Sequence, residues 1–270
     1  MLGAIYGDII GSYYESHCTK HYDFDLFPIG ASFTDDTVLT AAVCDAVLYS
    51  DRKVKGFFDK KLRAKEYAYR YKQYFIRYPN AGFGNMFCEW TSSDHLKKQN
   101  SFANGGAMRV IPIAYAYSSL DEVNLQTKLS CLYTHNHHKA IIAAQAVSTA
   151  AYMALHGKDK EQIRTYISKK YRYNLNRSIQ EIKTFYVFDS KASYSVPPAI
   201  IAFLESTDYE SAVRNAVSLG GDSDTMACIA GGIAEAYYKE IPNYISAKCE
   251  RILDSGLRTV FQQFIKKYSL

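Results

Sequence analysis

Two short segments concentrate hard oxygen ligands at the start of what reads as a helix. Phe33-Thr34-Asp35-Asp36-Thr37 and Gly220-Gly221-Asp222-Ser223-Asp224-Thr225 each set adjacent or alternate carboxylates beside a Thr hydroxyl, just ahead of a run of small and apolar residues. One Asp or Thr at such a place caps a helix, accepting from an orphan backbone N–H at the positive end of the macrodipole. A second carboxylate beside the first adds like-charge repulsion that a cation or a proton relieves, and the chain carries that excess twice. Two such ends facing each other would offer enough carboxylates to hold two ions about 3.5–4 Å apart, and carboxylate, hydroxyl and water oxygens suit Mg²⁺ or Mn²⁺. Asp222-Ser223-Asp224-Thr225 also invites comparison with the aspartyl-phosphate enzymes. Their motif, however, follows a hydrophobic strand of an α/β sheet, whereas Ser218-Leu219-Gly220-Gly221 comes first here.

Two further segments offer ligand contacts. Ser101-Phe102-Ala103-Asn104-Gly105-Gly106-Ala107-Met108-Arg109 leads into the apolar run from Val110 to Tyr117. Adjacent glycines let a backbone approach a ligand closely, and N–H groups at the following helix start attract phosphate. A plain turn uses the same residues. Thr134-His135-Asn136-His137-His138 groups three imidazoles at a junction between two helices. Its spacing matches neither a Cys/His zinc site nor H-E-x-x-H, so hydrogen bonds to a ligand, or capping, are the expected uses.

The elements that must position these residues are helical. After Thr34-Asp35-Asp36-Thr37, the apolar residues Val38, Leu39, Ala42, Val43, Ala46 and Val47 recur at helical spacing. Similar patterns predict helices over 4–14, 60–78, 120–133, 139–155, 160–170, 177–186, 198–204, 209–217, 225–238 and 257–268, with Pro197-Pro198 at a helix start, where a missing N–H loses no partner. No strand is needed, and the fold class is all-α. Phe24 to Phe33 and Pro79 to Met108 are the two long connections, the kind of loop that carries sites on a rigid scaffold. No linker, low-complexity tract or internal repeat divides the chain, so one domain over residues 1–270 is expected.

Composition bounds the rest. With 48% hydrophobic residues, 22% charged and only 6 prolines, the chain is neither disordered nor collagen-like. Its six cysteines are scattered without a C-x-x-C pair, and the N-terminus meets Asp8 before an apolar stretch reaches signal length, so a reducing cytoplasmic setting is expected. The apolar run from Ala140 to Leu155, broken by Gln145, Ser148 and Thr149, falls short of the roughly 20 residues a bilayer needs. No membrane partner is expected. The net charge of +5 is concentrated between Arg52 and Arg77, where Tyr67, Tyr69, Tyr71, Tyr74 and Tyr78 are interleaved. A solvated basic face over a buried tyrosine face is the plainer reading; stacking and phosphate contacts to nucleic acid are the alternative.

Taken together, the motifs resemble the ADP-ribosylglycohydrolase family of ADP-ribosyl hydrolases, the dinitrogenase-reductase-activating type, and they do so in the family's order. Gly7-Asp8-Ile9-Ile10-Gly11 followed by Glu15 comes first, then Thr34-Asp35-Asp36-Thr37, Asn104-Gly105-Gly106-Ala107-Met108-Arg109 and Thr134-His135-Asn136-His137. Gly220-Gly221-Asp222-Ser223-Asp224-Thr225, running into Ala230-Gly231-Gly232-Ile233-Ala234, closes the series. The resemblance implies a compact orthogonal helical bundle with two divalent cations, Mg²⁺ or Mn²⁺, at the base of an ADP-ribose cleft. By motif position Thr34, Asp35, Asp36, Asp222, Asp224 and Thr225 are the implied metal ligands. Asn104, Gly105, Gly106 and Met108 would cradle the diphosphate and ribose, with His135 contacting the ligand. Glu15 falls at the family's mobile glutamate. Two departures, His138-Lys139 where relatives have Pro-Glu and Met226 where Asn is common, leave these ligands in place but loosen any transfer of substrate preference.

The implied reaction is hydrolysis of the glycosidic bond at the ribose anomeric carbon. Its oxocarbenium-like transition state calls for fixed ribose hydroxyls and a positioned water. Glu15 is the preferred acid/base, with Asp36 the other candidate, because a carboxylate committed to metal is a poor base. The expected substrates are ADP-ribosylated protein, at arginine first and serine next, or a small-molecule ADP-ribose adduct, acted on by a monomer. Phe83, Phe102, Tyr115 and Tyr194 are the candidates for stacking on adenine. A non-catalytic ADP-ribose-binding or structural relative is the competing function, ahead of the nucleic-acid reading.

Overall fold

The computed structural model describes residues 1–50 and 54–268; Arg52 and Lys53, at the head of the basic stretch, lie outside them. The described chain is all-α, with no strand. In order, the helices are α1 (Leu2–Ser16), α2 (Asp35–Leu48), α3 (Phe57–Arg77), α4 (Asn85–Ser92), α5 (Ile111–Ala116), α6 (Leu120–Cys131) and α7 (His138–Leu155). They continue as α8 (Lys160–Tyr171), α9 (Ile179–Lys183), α10 (Ala192–Leu204), α11 (Tyr209–Val217), α12 (Ser223–Tyr238), α13 (Asn243–Ile252) and α14 (Ser255–Tyr268), with a 3₁₀ turn at Asn104–Gly106. None is long and apolar enough to cross a membrane.

At the centre lies α12, buried along nearly its whole length and packed against α1, α7, α10 and α11. Its contact with α1 is backbone to backbone. Gly3, Gly7 and Gly11 recur every four residues, which places them on one face of α1. A Cβ at these positions would lie 2.5 Å from the Gly231 carbonyl oxygen, 2.1 Å from that of Ala227 and 2.4 Å from that of Ser223. The descending partners make the pair antiparallel, so the C-terminal end of α1 meets the N-terminal end of α12. A side chain inserted at the middle glycine meets backbone that cannot rotate away. Gly7→Val is therefore expected to lower stability by about 3 kcal/mol, read as a drop of roughly 6–12 °C in the thermal midpoint by calorimetry.

The basic stretch buries Tyr67, Tyr71 and Tyr74 against the core, while Tyr69 and, at the start of α3, Phe57 and Phe58 are exposed. Arg63 is buried too, donating to Gln126, Tyr117 and the Ala46 carbonyl. α3 is thus amphipathic, with its cations other than Arg63 on the outer side and Tyr67, Tyr71 and Tyr74 as packing.

Four segments differ from the periodicity reading. Pro197 and Pro198 do not begin a helix: α10 starts at Ala192 and carries both prolines in its interior. The Lys191 carbonyl accepts the first amide hydrogen bonds, from Tyr194 and Ser195, so the missing proline donors fall one turn further in. The connection from Pro79 to Met108 contains α4, whose buried Phe87 and Trp90 make a face too short for a periodic signal. The predicted helix over 177–186 shrinks to α9, after which the chain turns at Thr184 and Phe185 and runs as an irregular strap to Lys191. α13 has no counterpart in the periodicity reading, although Ile245 and Cys249 form its buried edge.

Candidate functional site

The antiparallel pairing of α1 and α12 brings Glu15, near the end of α1, to the first turn of α12, where Asp222, Asp224 and Thr225 sit. Two turns earlier on α1, the buried Asp8 reaches the start of α2. Its carboxylate accepts from the Thr34 N–H at 3.0 Å, the Thr34 hydroxyl at 2.7 Å, the Thr37 N–H at 3.1 Å and the Thr37 hydroxyl. Asp8 therefore caps α2 from outside, and the capping role is taken from the helix's own aspartates. Asp222, the N-cap residue of α12, makes no side-chain cap bond either; its Oδ2 instead accepts from Asn104 Nδ2 at 2.8 Å. Thr225 Oγ1 bridges the two helix starts by donating to Asp36 Oδ2 at 3.2 Å.

With α2 capped by Thr34 and Asp8, and with Asp224 Oδ1 accepting from the Thr225 N–H at 2.8 Å, the acids face a cleft of about 410 Å³, within the size range of small-molecule sites. Glu15, Asp35, Asp36, Asp222, Asp224 and Thr225 line it, with Asn104, Gly105, Met108 and His135 across from them; no Lys or Arg does so among the described residues. Thr34 and Gly106 lie behind the surface, the first bonded to Asp8 and the second against His135 and Cys131. Oxygens of Asp8, Asp36 and Asp224 lie within 4.8 Å of one another, as do those of Glu15, Asp222 and Asp224, so Asp224 belongs to both groups. Asp35 stands outside both triplets, beside Gly82.

The electrostatics follow from this crowding. Burial, with repulsion from Asp8, Asp222 and Glu15, pushes the Asp35 carboxyl up to about 8. Burial and the neighbouring acids also hold Asp36 and Asp224 well above the usual carboxylate range and raise Glu15. Such a set is relieved by cations or protons. Asp36 Oδ1 is buried without a hydrogen-bond partner, the orphan acceptor that a bound cation would satisfy. The donor set is all oxygen, as hard divalent ions require. These residues fit a divalent metal centre.

The opposite wall is the Asn104 turn. Its side chain ties the turn to Asp222 and to Ser195 Oγ, while its N–H donates to the Ser190 carbonyl at 2.8 Å. His135 fits beneath because position 105 lacks a side chain: a Cβ there would lie 2.9 Å from His135 Nε2. Burial, then the nearby Arg109, hold His135 well below its ordinary pKa, hence neutral. Arg109 Nη2 donates to Thr134 Oγ1 at 2.7 Å, and that hydroxyl lies 2.9 Å from His135 Nδ1. Accepting from Arg109 leaves that hydroxyl one hydrogen and one lone pair for Nδ1, while Nε2 faces the Gly105 turn.

Of the aromatic candidates, Phe83 is buried and stacked on Phe87, Phe102 is half exposed with its edge against His137, and Tyr194 stacks on Tyr186. Tyr115 lines a separate cavity with Leu155 and Phe264. Sequence reasoning passed over Asp8, named only within a motif, and the cleft residues Met86, Phe87 and Phe188. Asp8 carries a legible signal, an acid on a glycine-striped apolar helix, where a buried charge needs partners. Phe188 has none.

A sequence model of the ADP-ribosylglycohydrolase family matches residues 1–269. The chain is 27% identical to human ADP-ribosylhydrolase ARH3, over 97% of this chain and 93% of the relative. It is 28% identical to the mouse protein of the same name, over 97% and 91%. Among solved structures it superposes on a chain titled ADP-ribosylglycohydrolase-related protein complex with a TM-score of 0.68 at 21% identity, covering 98% of this chain and 96% of that one; this likeness is one of fold.

Proposed function

Because the chain belongs to the ADP-ribosylglycohydrolase family, whose members are metal-dependent glycosidic-bond hydrolases, we propose that it removes ADP-ribose from a modified acceptor with two divalent cations, Mg²⁺ or Mn²⁺. The observation that carries this reading is the pair of carboxylate groups sharing Asp224, beside the orphaned Asp36 Oδ1, at the base of one cleft. Asp36, Asp222 and Asp224 would hold the ions, with Asp35 and Thr225 at the rim of the set and Asp8 keeping the Asp35–Asp36 turn in place through Thr34. Bound there, divalent cations would anchor the ribose hydroxyls and acidify a water.

The remaining work falls to the chain's own groups. Glu15, the most open of the acids, is near enough to Asp222 and Asp224 to serve the attacking water yet remains outside the Asp36 group. It takes the water's proton as the glycosidic bond breaks and returns it to the leaving group. Asn104 fixes the Gly105–Met108 turn against Asp222, and His135 presents Nε2 towards that turn, where the ligand would lie. A carboxylate-rich mouth without Lys or Arg suits a cationic leaving group, which places protein arginine first among acceptors, with serine-linked or small-molecule adducts next. We take the chain to act as one domain and as a monomer in the cytoplasm.

The test is release of ADP-ribose from arginine- and serine-linked peptides, followed by chromatography. Release with Mg²⁺ or Mn²⁺ and none in EDTA is the expected result. No release from any linkage with either metal would rule the hydrolase reading out.

A further inference from the structure

Gly220 and Gly221, which lead into Asp222, are gripped from both sides. Gly220 has a positive φ of 67°, a conformation that disfavours side chains. A Cβ there would lie 2.8 Å from Cys18 Sγ and 3.0 Å from Lys20 Cε. At Gly221 a Cβ would lie 2.3 Å from Tyr186 Cε1. The turn is thus packed between the segment that follows Glu15 and the strap that follows α9.

One ammonium ties the three segments together. Lys20 Nζ donates to the Lys183 carbonyl at 3.2 Å, to the Tyr186 carbonyl at 2.6 Å and to the Leu219 carbonyl. An ammonium has three donors, and all of them are spent on backbone. Two of the acceptors belong to the end of α9 and the start of the strap, and the third to the turn after α11. Cys18 adds a tie to the same turn, its Sγ 3.4 Å from the Gly220 carbonyl oxygen. Carbonyls past the ends of helices are orphan acceptors that a cation satisfies well. The strap runs on to Ser190, whose carbonyl accepts from the Asn104 N–H, so the clamp reaches both walls of the cleft.

We propose that Lys20 is a positioning residue for the hydrolysis: by holding three backbone carbonyls it fixes the distance between Glu15 and the Asp222–Asp224 pair and seats the strap beside the Asn104 turn. The inference rests on the hydrolase reading above. It assigns Lys20 no contact with substrate or metal.

The experiment compares the full chain with Lys20→Met and Lys20→Arg. Hydrogen–deuterium exchange of the metal-free proteins is expected to speed up about tenfold in peptides covering 184–190 and 219–223 of Lys20→Met, with α7 unchanged. Mn²⁺ affinity, titrated by electron paramagnetic resonance, should weaken about tenfold, as when a group that orients metal ligands is lost. Lys20→Arg, which keeps the charge, should recover part of both. Unchanged exchange in the two peptides together with parental Mn²⁺ affinity would overturn the assignment. So would faster exchange spread evenly over the chain, which marks general destabilisation. A parent chain that binds no Mn²⁺ and releases no ADP-ribose sinks the hydrolase reading instead, and the exchange comparison still decides the clamp.

Discussion

Asp224→Ala is expected to lower turnover by about a thousandfold or more while the protein still folds. Asp224 is the one carboxylate common to both acid groups, within 4.8 Å of Asp8 and Asp36 on one side and of Glu15 and Asp222 on the other. Its loss would weaken both cation positions at once, and with them the several kcal/mol of charge stabilisation that metals lend a hydrolytic transition state. Folding should survive, because removing a buried acid whose neighbours repel it also relieves the metal-free protein. The check is thermal stability with Mg²⁺ and ADP-ribose. A ligand present at about 100 times its Kd adds roughly 2.7 kcal/mol to the parent, and Asp224→Ala should show no such gain. A variant that kept both the gain and the turnover would remove Asp224 from the metal set.

Glu15→Gln should separate binding from chemistry. The amide keeps the size and hydrogen-bonding reach of the carboxyl but cannot carry a proton between water and leaving group. A loss of about 10²–10⁴ in kcat is expected, the usual worth of general acid–base catalysis. ADP-ribose binding, measured by calorimetry with Mg²⁺, should stay within about threefold of the parent, since on the proposed reading the ligand's fixed contacts would be to Asn104, His135 and the cations. Near-normal turnover with intact binding would transfer the acid/base role away from Glu15, with Asp36 the next candidate.

The two acid segments were legible in the sequence because their charge exceeds what a cap needs, and the structure shows why the helices tolerate the excess: Asp8 does the capping of α2 from α1. That contact joins residues whose neighbourhood no local pattern reveals. The long helices were legible from apolar spacing, whereas α4 buries only Phe87 and Trp90 and α13 only Ile245 and Cys249, too few positions for a period to emerge. Pro197 and Pro198 misled because a proline pair is a good helix start, yet α10 begins a turn and a half earlier, where the Lys191 carbonyl is free to accept. Gly3, Gly7 and Gly11 stood in view at four-residue spacing; their partner, α12, did not. The cleft aromatics were not separable by type in a chain with 24 tyrosines and 14 phenylalanines. Phe188 in particular is placed by the strap, whose course depends on Lys20 and Ser190.

The glycine-to-carbonyl pairing of α1 with α12 also sets a timetable for the chain's own birth. Gly3 donates its N–H to Glu235, 232 residues away, so α1, made well before α12, has to wait for it. Until then its glycine face lies open, and Glu15 and Asp8 have no Asp222 or Asp224 to meet. Closing so long a loop comes late, after local helices have formed. The acid centre is therefore completed only once α12 has been made, when Asp222 and Asp224 join the acids that α1 and α2 bring together.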